Sequence, residues 1–132
     1  MSTDTSGHKI VWVDDHEVTA RLCCDVLEIV GFRAVPISIS DINVVSQHAP
    51  FDLLITGNIQ EPTRGVDLAQ QAKQRWPSVP VVMVTGSGIV GLNPKAPPPG
   101  VDVLIPKEGV FPQVLDEIRR ILRTHGGRVA AV

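Results

Sequence analysis

"VPVVMVT", residues 79 to 85, carries no charge and does not alternate between apolar and polar positions. A strand with one wet face alternates, so a continuous run rich in valine predicts a strand buried on both sides. Burial on both sides requires helices above and below. That is the arrangement of a parallel sheet, in which neighbouring strands need crossover connections. The stretch therefore predicts strand and helix in alternation along the rest of the chain.

Upstream, "GVDLAQQAKQRW" (65 to 76) reads as a helix that Pro77 ends, and "DLLIT" (52 to 56) as a strand. "SDINVVSQHA" (40 to 49) is a short helix capped by Ser40 or Asp41. "RAVPI" (33 to 37) is a strand whose Pro36 suits an end or an edge. "KIVWV" (9 to 13) is the first strand, followed by "DDHE" and a helix with Val18, Leu22, Val26, Ile29 and Val30 on one side, which Gly31 stops. Downstream, "VDVLI" (101 to 105) is the fifth strand. Val110, Val114, Leu115, Ile118, Ile121 and Leu122 stripe a final helix expected to end before Gly126 and Gly127. The implied class is α/β, a doubly wound five-stranded parallel sheet with helices on both faces. One slot departs from the alternation. "GSGIVGLNPKAPPPG" (86 to 100) contains four prolines, so the fourth helix is expected to be short or replaced by a Pro/Gly-rich loop.

A chain of 132 residues, 43% hydrophobic and of net charge −2, is expected to be one domain spanning 1–132, with a core over about 8–124 and flexible ends at 1–7 and 126–132. The absence of a basic run argues against nucleic acid as a partner, and no stretch approaches the roughly 20 apolar residues of a membrane span. "MSTDTSGHK" lacks the basic and apolar regions of a secretory signal, so the cytoplasm is the expected location. Cys23 and Cys24 are adjacent on a helix and point about 100° apart, which suits neither a disulfide nor a chelate. His16 follows the acidic pair and, as an isolated histidine, reads as a bystander more than a ligand, His8, His48 and His125 have no partner at metal-ligand spacing, and Trp12 and Trp76 read as packing residues.

In a doubly wound sheet, ligands sit outside the carboxyl ends of the strands. The polar residues gather there: Asp14 and Asp15 follow the first strand, Thr85 closes the fourth and Lys107 lies two residues past the fifth. Paired carboxylates at an open edge suit Mg²⁺, which takes one or two carboxylates and keeps several waters. After the third strand, however, stands Gly57.

The motifs "VDD", "FDLLIT", Gly65 eight residues past Gly57, "PVVMVTG" and "IPK", in this order, resemble those of the response-regulator receiver domain of two-component signalling, over about residues 8 to 124. The resemblance implies a flavodoxin-like sheet of order 2-1-3-4-5. It also implies a site in which Asp14 and Asp15 hold Mg²⁺, Thr85 is the switch hydroxyl and Lys107 pairs with phosphoryl oxygens. The family's phosphoacceptor aspartate would occupy the position of Gly57, which has no side chain to attack phosphorus. Asn58 is an amide, and Asp52 lies about 16 Å back along an extended strand at roughly 3.3 Å per residue. Gln60 and Glu61 replace the family's Met-Pro, Leu104 the switch aromatic, and Glu108 the proline after the lysine. With one carboxylate fewer, weak Mg²⁺ binding or none is expected, no cofactor is required, and Asp14 and Asp15 are open to a plainer role, capping the first helix and pairing with Lys107.

The expected function is that of a stand-alone, phosphorylation-independent receiver-like domain, not an enzyme, that binds a histidine kinase or a phosphotransfer protein. The resemblance puts one docking surface on the first helix, with Val18, Leu22 and Val26. It puts a second, available also to a homodimer, on the face built by the segment after the fourth strand, the fifth strand with Leu104, and the final helix, where Pro97, Pro98 and Pro99 would present a fixed surface. Two other readings stay open: a receiver phosphorylated at Glu61 or Thr56, and a small-molecule sensor using space that Gly57 leaves open.

Overall fold

The computed structural model describes residues 7–38, 41–57, 62–85, 97–106 and 111–131. Its elements are β1 (Lys9–Val13), α1 (Glu17–Ile29), β2 (Arg33–Ile37), α2 (Ile42–Ser46), β3 (Leu53–Thr56), α3 (Pro62–Arg75), β4 (Val81–Thr85), β5 (Val103–Pro106) and α4 (Phe111–Ala131). All strand pairs are parallel and the order is β2-β1-β3-β4-β5. Val81 to Val84 are all buried, as the unbroken apolar run requires. Pro36 lies in β2, an edge strand, where its missing N–H costs the ladder least.

Strand alternation divides the core in two. Ile10, Trp12, Leu53, Ile55, Val82, Val84 and Ile105 face α1 and α4, which contribute Ala20, Cys24, Leu27, Ile118 and Leu122. Val11, Val13, Leu54, Val81, Met83 and Leu104 face α2 and α3, which contribute Val45, Leu68, Ala69 and Ala72. The turn after α1 explains why it stops at Val30. Gly31 has φ 108°, its N–H donates to the Glu28 carbonyl, and Phe32 N–H donates to the Leu27 carbonyl. This paired closure needs a residue at ease in the left-handed region, which glycine is. Asp41 caps α2, its carboxylate accepting from Asn43 N–H at 2.8 Å.

Two boundaries differ from expectation. α3 begins at Pro62 rather than Gly65, because proline is well suited to a first helical turn, where its missing N–H has no partner to lose. α4 runs through Gly126 and Gly127 to Ala131, so the segment after 125 expected to be a flexible end is helical up to that point. Each glycine costs a helix interior only about 1 kcal/mol relative to alanine, and Arg128 to Ala131 are compatible with helix.

The segment expected to replace the fourth helix falls largely on residues 86–96, outside those described. Of the three prolines expected to present a surface at its end, Pro97 and Pro98 are half-buried and Pro99 is exposed. Gly100, at φ 87°, lies so close to α3 that a Cβ there would come within 2.8 Å of the Gln70 nitrogen. The strand that follows is held by Asp102, which accepts from Val81 N–H at 2.8 Å and pairs with Lys73 at 2.5 Å. Leu104, expected at a partner surface, is buried against the α2/α3 core, because its place in β5 turns it toward that face.

Candidate functional site

The carboxyl ends of β1 and β3 lie side by side. Val13 is in register with Thr56, and Gly57 N–H donates to the Val13 carbonyl at 2.6 Å, extending the ladder by one step. Asp14 N–H continues the other side by donating to the Ile37 carbonyl at 2.9 Å. These bonds fix Asp14 and Gly57 as neighbours at the sheet rim, as the strand pattern predicted.

Asp14 is 0% exposed. A carboxylate taken out of water needs donors, and two are in place. His16 N–H donates to Oδ1 at 2.8 Å, and the indole Nε1–H of Trp12 donates to Oδ2 at 3.3 Å, the long end of the hydrogen-bond range. Trp12 sits two residues before Asp14, on the same side of β1, and is itself buried. A buried indole requires an acceptor as much as a buried carboxylate requires donors. The expected role of Asp14 as a helix cap is only partly met, since its bond goes to His16, the residue that precedes α1, and His16 makes no side-chain cap bond of its own.

Asp15 is partly exposed, and its Oδ2 pairs with a nitrogen of Arg64 on α3 at 3.0 Å. The expected partner, Lys107, lies outside the described residues, as do Asn58, Gln60, Glu61 and Glu108. Thr85 closes β4 opposite Pro106, but its side chain is not among those described. The structure thus places Asp14, Asp15 and Gly57 together and leaves two of the five expected site positions without described side chains.

Gly57 is buried, and its backbone is not in the left-handed region. Its lack of a side chain matters for space. A Cβ built there would lie 2.5 Å from Asp14 Oδ2 and 2.5 Å from Trp12 Nε1. The space beside Gly57, which a small-molecule sensor was expected to use, is occupied by these two side chains. Sequence reading missed the role of Trp12 by treating it as packing alone. The available signal was its parity with Asp14 on β1, combined with a glycine on the adjoining strand.

The carboxylates as arranged do not fit Mg²⁺. Asp14 is fully buried with both oxygens accepting hydrogen bonds, Asp15 is engaged by a guanidinium, and no group of three metal-ligating side chains occurs among the described residues. Thr56, considered as a substitute acceptor, is 0% exposed, and strand alternation places it on the sheet face opposite Gly57. Its hydroxyl is the one buried side-chain polar atom without a hydrogen-bond partner among the described residues, and none of those residues is positioned as a base to activate it.

A different surface is open. Val18, Leu22, Val26 and Ile29 run along the outer side of α1 and are exposed, at 71% for Val18, 59% for Leu22 and 82% for Ile29. The same helix buries Ala20, Cys24 and Leu27. Burial in apolar surroundings pushes the Cys24 thiol up to about 12, with the neighbouring Cys23, Asp25 and Glu28 adding to the effect. Cys24 is therefore a core residue, whereas Cys23 is only half-buried.

The arrangement matches known structures over most of the chain. The solved receiver domain of a CheY-like protein from Methanospirillum hungatei superimposes with a TM-score of 0.76 at 22% identity, covering 93% of this chain and 99% of that one. The chain has the receiver-domain fold. Among curated proteins, the response regulator receiver protein CpdR of Brucella abortus is 29% identical over 76 residues, 58% of this chain and 63% of that protein. The sensor histidine kinase RcsC of Salmonella typhi is 27% identical over 122 residues, 91% of this chain and 12% of that protein. The chain therefore spans less than two thirds of either relative. No family model matches it. Among the described residues, no helix is long and apolar enough to cross a membrane.

Proposed function

We propose that this receiver-fold chain is a phosphorylation-independent binding module rather than an enzyme of its own phosphorylation, acting by docking to a histidine kinase or a phosphotransfer protein. One observation carries the reading: where the fold's phosphoacceptor would stand there is Gly57, and the space before it is taken by Trp12 and Asp14. Without a nucleophile there is no covalent step. What the fold retains is surface, and the apolar outer stripe of α1 offers a helical partner a row of side chains at the spacing that lets helices pack. By occupying a kinase or phosphotransfer protein, the module would block or tune transfer to a competent receiver.

The test is phosphotransfer to the native protein from a phosphorylated candidate kinase with Mg²⁺, and separately from an acyl phosphate, read by intact mass. Binding to the kinase is followed in the same samples. Kinase binding with no added phosphoryl mass is the expected result. A gain of one phosphoryl group overturns the reading, and peptide mapping would then look first at Glu61 and Thr56.

A further inference from the structure

The emptied acceptor position and Trp12 are not independent features. The Nε1 of Trp12 lies 2.5 Å from where a Cβ on Gly57 would be, and the same N–H reaches Asp14 Oδ2. A heavy-atom approach of 2.5 Å is far inside van der Waals contact, and a large side chain locked in a close-packed core cannot step aside cheaply. Trp12 is such a side chain, packed with Ile10, Leu53 and Ile55. Asp14 is the more adaptable neighbour, but turning it would break its bonds to both His16 and Trp12.

We infer that Trp12 is a blocking residue that closes the acceptor site from within. Its indole fills the volume in front of Gly57 and supplies Asp14 with a neutral donor on the carboxylate edge beside that position. Gly57 and Trp12 then form a compensated pair. Restoring a side chain at 57 would not reopen the site unless Trp12 were also reduced. The inference rests on reading Gly57 as the emptied acceptor position. It adds that the change is held in place by a second residue on another strand.

The minimal probe is one methyl group. Gly57 has no left-handed φ, so Gly57→Ala at an unobstructed site would raise Tm slightly by restricting the unfolded chain. Here we expect Gly57→Ala to lower Tm by roughly 8 °C, from overpacking in a domain of this size. In a Trp12→Val background, the same Gly57→Ala change should cost less than a third of that shift, or raise Tm. The companion measurement is a calorimetric titration with Mg²⁺ alone. Gly57→Asp combined with Trp12→Val should bind Mg²⁺ at least about tenfold more tightly than Gly57→Asp with Trp12 in place.

Additive Tm shifts across the Gly57→Ala and Trp12→Val cycle would overturn the inference. So would a Gly57→Asp single variant that binds Mg²⁺ as tightly as the double variant. The alanine cycle decides the question even where the aspartate variant does not fold. Phosphoryl incorporation into the native protein would defeat the functional reading while leaving the coupling between Trp12 and Gly57 intact, so the two failures are distinguishable.

Discussion

The rim of the sheet and the outer side of α1 make opposite use of polar and apolar groups. At the rim, Asp14 is buried with both carboxylate oxygens satisfied by protein donors, and Trp12 fills the remaining space. On α1, Val18, Leu22, Val26 and Ile29 lie exposed. Scattered exposed apolar residues are ordinary, whereas these four share one side of one helix, the surface that the proposed docking would use. Among the described residues, the space beside Gly57 is filled by protein groups, while the outer stripe of α1 lies open to solvent.

The severest perturbation forces a side chain into the filled space at position 57. Gly57→Asp is expected to cost about 4 kcal/mol of unfolding free energy, since it overpacks the core and buries a second carboxylate beside Asp14. Urea denaturation measures this directly, and a variant as stable as the parent would mean the rim is not closed. Next, α1 offers a comparison within one helix. Leu27→Ala should cost about 3 kcal/mol in the same experiment, because Leu27 is buried. Leu22→Ala should stay within about 0.5 kcal/mol, while Leu22→Asp should weaken kinase or phosphotransfer-protein binding by about tenfold or more. Equal stability losses at the two leucines would show that the outer stripe is covered in solution.

The cysteines sharpen the same inside-outside division. With the folded Cys24 pKa raised to about 12 from an ordinary 9, the native state holds the neutral thiol after the unfolded chain has begun to ionise. Stability from this source is complete below pH 9 and falls as pH rises toward 12. A Cys24→Ala variant should show a flatter decline over that window, and iodoacetamide should label Cys23 before Cys24 in the native protein, as peptide mass mapping would show. The smallest expected effect is at Thr56. Its hydroxyl is buried without a partner among the described residues, so Thr56→Val should leave stability unchanged or raise it by up to about 1 kcal/mol in urea titration.

Much of the fold was legible because burial writes itself into periodicity. The unbroken run at 79 to 85 predicted a doubly covered strand, and Val81 to Val84 are buried. Gly31 predicted the end of α1, and its positive φ makes that closure. Periodicity was weaker where local cost is small, so α4 passed through Gly126 and Gly127. It was silent on which polar groups meet across strands. Asp15 pairs with Arg64, 49 positions away, and no spacing rule connects them.

By itself, the sequence determined the alternation of strands and helices, the placing of Asp14, Asp15 and Gly57 at strand ends, and the absence of a nucleophile at position 57. These are local properties, set by side-chain type and by period along one stretch of chain. Only the tertiary structure decided that Leu104 turns inward, that Pro97 and Pro98 lie half-buried, and that Trp12 occupies the space before Gly57. Those outcomes depend on how far one strand stands from the next and which face each residue takes, and close packing turns such differences of an ångström into a site that is open or shut.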